Sequence, residues 1–283
     1  MVEPALRLPA PAKLNLMLRV VGRRPDGYHL LQTVFQFIDR CDWISLEDRD
    51  DGAVCLQTPL TGVPAEADLT VRAAMLLKSH TGCSRGANIA VEKNLPMGGG
   101  LGGGSSDAAT VLAGLNVLWG CGLSLDELRD LGLALGADVP VFLYGQAAWA
   151  EGVGEQLVPL ELPEPWYLVV VPPCHVSTAE IFGDRDLTRD NPPITIRGFL
   201  DGSHENHCLP VVIARHEPVK GALAALGAVC PAPRLTGTGA CVFGTFADEA
   251  QAEQAAHGPV SRRGRSTGHH CFAHCRVRRR RCL

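Results

Sequence analysis

The chain has 283 residues, 46% hydrophobic and 20% charged, with a formal charge of −4. At roughly 150 residues per domain this is about two domains, with enough apolar content for a core, so disorder along the whole chain is excluded. No run approaches the ~18 apolar residues of a membrane span, and the opening residues lack the basic and apolar regions of a secretory leader.

The eleven cysteines show no CxxC pair through residue 241, which argues for reduced thiols. A soluble, cytoplasmic protein without membrane partners is expected. The charge is unevenly spread: residues 257–283 hold eight Arg, four His, three Cys and no acid. The remainder carries 18 basic against 30 acidic residues. A body that acidic is a poor nucleic-acid binder, because neutralising phosphates requires a basic surface.

In chain order, Lys13 to Arg19 alternates strictly. Leu14, Leu16 and Leu18 share one strand face, and Lys13, Asn15 and Met17 the other. Pro25-Asp26-Gly27 is a turn, Tyr28 to Ile38 a second strand, and Asp42 to Glu47 a third. Asp68 to His80 reads as a helix stopped by Gly82, and Ala87 to Glu92 as a short strand. The cluster Gly98 to Gly104 follows, then a helix from Ser105 or Ser106 through Trp119. Ser124-Leu-Asp-Glu127 is a capping box that opens another helix. Residues 157–165 are rich in Pro and Glu and mark a boundary; Trp166 to Val171 is a buried strand and Val211 to Leu226 a helix. Arg234 to Phe243 reads as a glycine-kinked turn entering a strand. The predicted fold is α+β in two lobes, 1–158 and 159–256, followed by a separate tail, 257–283.

The glycine cluster carries the strongest chemical signal. So many glycines in seven residues weaken local order by about 0.5–1 kcal/mol each, which suits a backbone approached closely by a ligand. Its position before a helix start aims free N–H groups and the positive dipole end at an anion. Ser105 and Ser106 add hydroxyls for a phosphate or a phosphate-bound metal. A Walker loop is excluded, since no Lys follows the glycines. A dinucleotide loop fits poorly, because Asn88 to Lys93 is half polar and lies far from the chain start.

The string Leu95-Pro-Met-Gly-Gly-Gly-Leu-Gly-Gly-Gly-Ser-Ser106 resembles the central motif of the GHMP small-molecule kinases. Pro11-Ala-Lys-Leu-Asn15 and Leu235-Thr-Gly-Thr-Gly-Ala-Cys-Val-Phe243 are similar to the family's first and third motifs. Arg24-Pro-Asp-Gly-Tyr-His29 and Gly136-Ala-Asp-Val-Pro-Val-Phe142 narrow the resemblance, which runs from about residue 8 to about residue 250. They point to the branch that phosphorylates a hydroxyl of a cytidine-diphosphate-linked polyol on the non-mevalonate route to isoprenoids.

That resemblance implies a two-lobed kinase with its active site in the cleft, using ATP and Mg2+, as a monomer or homodimer. Lys13 and Asp138 are the implied catalytic pair. Lys13 alone would be a solvated charge and Asp138 alone an N-cap. Phosphoryl transfer needs positioning, a carboxylate to take the hydroxyl proton and an ammonium to offset charge. The implied phosphate loop comprises Pro96, Met97, Gly98, Gly99, Gly100, Leu101, Gly102, Gly103, Gly104, Ser105 and Ser106. Lys93 is expected to reach the nucleotide, and Ser105 or Ser106 a metal. For the substrate the implied residues are Asn15, Tyr28, His29, Thr178 and Phe182, with the base held between the rings of Tyr28 and Phe182, His29 hydrogen-bonding its edge and Thr178 reaching the diphosphate end. Asp68 stands where the family has Asn at the adenine, and can accept but not donate a hydrogen bond. Two alternatives stay open: a GHMP kinase for another alcohol, such as mevalonate or homoserine, or a non-catalytic nucleotide-binding regulator. The first has no use for Tyr28 and His29, the second none for a base.

The tail departs from the family's closing elements. Its cluster His269-His-Cys-Phe-Ala-His-Cys275 has zinc-ligand chemistry, and its arginines suit nucleic acid. With so few large apolar residues it can bury almost nothing. A segment read out of frame is favoured, which leaves the second lobe without its last strand.

Overall fold

The structure, a computed structural model, describes residues 6–60, 62–257 and 270–275. In chain order it contains β1 (Leu6–Arg23), β2 (His29–Arg49), β3 (Val54–Leu56), α1 (Leu69–Thr81), β4 (Gly86–Glu92) and α2 (Gly103–Leu118). Then come α3 (Leu125–Leu133), α4 (Val139–Tyr144), β5 (Ala148–Glu151), β6 (Gln156–Pro159) and β7 (Trp166–Val171). The remainder is α5 (Thr178–Gly183), α6 (Ile196–Leu200), α7 (Leu209–Arg215), α8 (Glu217–Gly227), β8 (Arg234–Leu235), β9 (Val242–Phe246), α9 (Glu249–Ala255) and β10 (His270–Cys275). Among the described residues no helix is long and apolar enough to cross a membrane.

β1 and β2 form a long antiparallel hairpin closed at Pro25–Gly27, where Gly27 takes φ 93° and donates its N–H to Arg24 O. β4 and β5 pair on β2, with β3 beyond β4 and β6 beyond β5. The second and third strands expected from the sequence are one strand. The register shifts between Pro11 and Ala12 opposite Cys41 and Ile38, so extra residues of β2 bulge out without ending the ladder. The second sheet runs β10-β7-β9-β8.

α2 packs against α1, the β1–β2 hairpin and α4, and Ser106 through Leu115 are all buried. A helix enclosed on every side belongs in a core, which suits its Ala-rich sequence. A second apolar cluster fills the C-terminal half around Leu168, Val212, Leu226 and Val242. A third, with Leu14, Met17, Trp149, Tyr167 and Phe243, joins the hairpin to β7 and β9.

Several elements correct the sequence reading. α2 starts at Gly103, two residues before Ser105. The helix expected over 211–226 is two, broken at His216, because Pro218 has no N–H to continue the ladder and serves as an early residue of α8. The expectation that the second lobe lacks its closing strand is also corrected. Residues 270–275 pair antiparallel with β7, His270 opposite Val171 and Phe272 opposite Val169. Backbone pairing needs only an extended chain, which a poorly apolar segment supplies. The side chains on which the zinc reading rests lie outside the described residues, as do 258–269 and 276–283.

Candidate active site

The polar face of β1 is buried. Lys13 and Asn15 are 2% and 4% exposed, enclosed by the glycine loop on one side and the third motif on the other. The three donors of the Lys13 ammonium have three partners: Asn15 Oδ1 at 2.5 Å, Gly100 O at 3.0 Å and Asp138 Oδ2 at 3.3 Å. Asn15 in turn donates from Nδ2 to Thr33 Oγ1, and its backbone N–H donates to Thr236 Oγ1, both at 2.9 Å. Lys13 is therefore a fixed, paired ammonium rather than a solvated one.

The glycine loop is held by backbone from both sides. Lys13 N donates to Leu101 O, Ala240 N to Gly98 O and Cys241 N to Gly99 O. Gly98, Gly100 and Gly102 have φ of 66°, 73° and 75°, a region that only glycine enters freely. A Cβ on Gly100 would lie 2.2 Å from Thr236 O, so the third motif closes directly on the loop. Gly102 caps α2, leaving the first N–H groups of that helix without intrahelical partners.

Two cavities of about 380 Å3 each meet at this loop. One is lined by Lys13, Asn15, Tyr28, His29, Thr33 and Phe182. The other is lined by Leu60, Val63, Asp68, Lys93, Pro96, Met97 and Gly98. Gly100, Ser105, Asp138 and Thr178 line both. A group passing between the cavities meets those four residues.

On the wall of the second cavity Lys93 sits between two carboxylates, Asp42 Oδ2 and, at 2.8 Å, Asp107 Oδ2. Asp42 is fully buried, and its other oxygen accepts from Asn94 N and Leu95 N at 2.5 and 2.8 Å. Burial, reinforced by the charge of Asp42, pushes Asp107 up to about 7 against the opposing pull of Lys93. The two carboxylates outweigh burial at Lys93 and raise its pKa, so it stays charged. Asp107 Oδ1 and Ser106 Oγ are buried without a hydrogen-bond partner. Asp68 caps α1, accepting from Thr70 N at 2.8 Å and Thr70 Oγ1 at 2.5 Å through Oδ1.

In the first cavity Tyr28 is 61% exposed at the hairpin shoulder. Phe182 stacks on His29, ring centroids 4.9 Å apart and planes 25° apart. The expected partner of the Tyr28 ring is thus already engaged by the neighbouring residue. Thr178 Oγ1 lies 2.9 Å from Thr238 Oγ1, bringing the start of α5 to the third motif. Sequence reasoning passed over Thr33, Asp42, Asp107, Arg189 and Thr236. Asp42 was visible as an acid opening an apolar strand, and Thr236 as part of the third motif. Arg189 gave no signal.

The family model for the GHMP kinases N terminal domain matches residues 68–146, which span α1, the glycine loop and Asp138. The fold and site thus define a GHMP small-molecule kinase. A protein of Methylococcus capsulatus named 4-diphosphocytidyl-2-C-methyl-D-erythritol kinase is 63% identical over 255 residues, 90% of this chain and 88% of that one. Its namesake in Nitrosococcus oceani is 59% identical over 244 residues, 86% and 87% of the two chains. A crystal structure of 4-(cytidine 5'-diphospho)-2C-methyl-D-erythritol kinase matches with TM-score 0.82 and 32% identity, over 96% of this chain and 100% of the other. The chain belongs to the 4-diphosphocytidyl-2-C-methyl-D-erythritol kinase family.

Proposed function

We propose that this protein transfers the γ-phosphoryl group of ATP to the 2-hydroxyl of 4-diphosphocytidyl-2-C-methyl-D-erythritol, giving the 2-phosphate and ADP. The observation that carries this reading is the Lys13–Asp138 pair, 3.3 Å apart, with Asp138 on the wall common to the two cavities and Lys13 on that of the first. ATP takes the cavity of Asp68, Lys93 and the glycine loop, and the cytidylyl substrate that of Tyr28, His29 and Phe182. The acceptor hydroxyl meets the γ-phosphate beside Asp138.

Asp138 takes the hydroxyl proton as the oxygen bonds to the γ-phosphorus, and the bond from that phosphorus to the β-phosphate oxygen breaks to release ADP. Lys13, held by Asn15 and Gly100, offsets the negative charge that builds on the attacking oxygen. The free N–H groups of the glycine loop and α2 start receive the phosphates. Thr178, at the common wall, is assigned to the substrate's diphosphate end.

Mg2+ fits this site, because it keeps several waters and takes few protein oxygens beside those of the phosphates. Ser105 lines both cavities, and the orphaned Ser106 Oγ and Asp107 Oδ1 lie next to it in sequence. When bound, the ion would offset charge on the β- and γ-phosphates. The setting this reading requires is the cytoplasm, where ATP and a soluble substrate meet.

A coupled assay for ADP release tests it directly, with the cytidylyl substrate, mevalonate and homoserine compared at equal concentration. Turnover with the first alone is expected. Preference for either of the others would overturn the assignment of the first cavity.

A further inference from the structure

Four donor contacts of one guanidinium converge behind the first cavity. Arg189 Nε donates to His29 Nε2 at 3.0 Å. Its Nη1 donates to Leu187 O at 2.9 Å, and its Nη2 to Phe182 O at 2.8 Å and Asp184 O at 2.6 Å. One side chain therefore grips the ring of His29 and the backbone of Phe182, the two rings that stack on each other.

The segment carrying Arg189 is itself tied to the hairpin. Asn191 Nδ2 donates to Val20 O at 2.9 Å, and Arg19 Nη2 to Pro192 O at 3.1 Å. Gln32 exchanges two bonds with the backbone of Ile194, at 2.8 and 3.0 Å. The position of the guanidinium is thus set by β1 and β2, the strands that also present His29.

A guanidinium can only donate, so the nitrogen it contacts must offer a lone pair. His29 Nε2 is then the acceptor nitrogen, and the proton of the neutral ring is on Nδ1. Burial, followed by the charges of Arg189 and of Arg23 across the hairpin, holds the His29 pKa below the ordinary imidazole value. The ring is neutral at pH 7 and has one donor to offer.

We infer that Arg189 is a positioning residue for the base of the substrate, holding His29 as a neutral Nδ1–H donor and locking it to Phe182. This rests on the reading that the first cavity takes the cytidylyl group. Cytosine presents O2 and N3 as acceptors, and a ring restricted to donation is complementary to that edge. A ring free to change tautomer would lose that selectivity.

The test combines nitrogen NMR of His29 with kinetics of the whole enzyme in Arg189→Met and Arg189→Lys. In the wild type, His29 should be the Nδ1–H tautomer and should titrate below free imidazole. In Arg189→Met the positive charge is gone, so the midpoint should rise and the ring become protonated at mildly acidic pH. KM for the cytidylyl substrate should rise about 3- to 10-fold, the range of one neutral hydrogen bond, and rise further toward acid pH. KM for ATP and kcat should hold. Arg189→Lys, which keeps the charge, should restore much of the low midpoint, and it carries the test if the Met variant does not fold. An Nε2–H tautomer in the wild type, or unchanged titration and KM in both variants, would overturn the inference. A shifted titration with an unchanged cytidylyl KM would leave the hold of Arg189 on the ring demonstrated and sink the assignment of the base to this cavity.

Discussion

Asp138 occupies the N-cap position of α4, yet its side chain makes no cap bond and lies 3.3 Å from the ammonium of Lys13. The reason is local. A capping residue has extended backbone and accepts from the second or third N–H of its helix, whereas Asp138 has the helical φ −85° and ψ −11°, and the second residue of α4, Pro140, has no N–H. The carboxylate is thereby left to face the cleft, about one-third exposed on the open side while Lys13 is enclosed. A fixed, buried ammonium and a carboxylate with access to the cavity form an asymmetric pair. The first can stabilise charge and the second can receive a proton.

The close approach of the third motif to the glycine loop predicts a graded response to alanine. At Gly100 the backbone has φ 73° and a Cβ would lie 2.2 Å from Thr236 O and 3.0 Å from Gly239 O. At Gly122 the φ is 74° and nothing lies within 4 Å. Gly122→Ala should lose only the ~1–2 kcal/mol of a left-handed alanine. Gly100→Ala should lose more and also raise KM for ATP, because the backbone itself must shift. Denaturant midpoints of the two variants check this; equal losses would mean that the loop and motif are not in contact.

Tyr28 is exposed and lines the first cavity, so its removal should leave the fold intact. Tyr28→Ala should weaken the cytidylyl substrate by roughly 5- to 150-fold, the value of one base-stacking face, with ATP affinity unchanged. Separate titrations of the two ligands measure it. Weakened ATP with intact cytidylyl binding would reverse the assignment of the cavities.

The carboxylate of Asp107 predicts a pH dependence of stability. Its ordinary value is 3.8 and burial raises it to about 7, so the folded state binds its proton more tightly than the unfolded chain. Between those values the unfolded chain has released the proton while the folded one retains it, and stability falls as pH rises. Asp107→Asn removes that term. Its melting temperature relative to wild type should therefore be higher at pH 8 than at pH 5. A difference that is constant or shrinks with pH would show that Lys93 keeps Asp107 ionised in the fold.

The fold was legible wherever local chemistry dictates it. The Pro25–Gly27 turn, Gly82 as the stop of α1, and the Ser124–Glu127 capping box all recur in the structure as the sequence predicts. These signals lie within a few residues of each other. The bulge that keeps β2 continuous and the pairing of residues 270–275 with β7 depend on partner strands far along the chain. The site divides in the same way. Lys13, Asn15 and the glycines sit in recognisable strings. Asp42, Asp107 and Arg189 work through Lys93 and His29, 51, 14 and 160 residues away, and no spacing rule announces them.

The most direct measurement is single-turnover phosphoryl transfer in Asp138→Asn with saturating ATP and cytidylyl substrate. The amide preserves shape but cannot accept the hydroxyl proton. The rate should fall by ~10²–10⁴-fold, with ATP binding close to wild type. A wild-type rate in that variant would remove Asp138 from the mechanism and contradict the reading of the Lys13–Asp138 pair as the reacting centre.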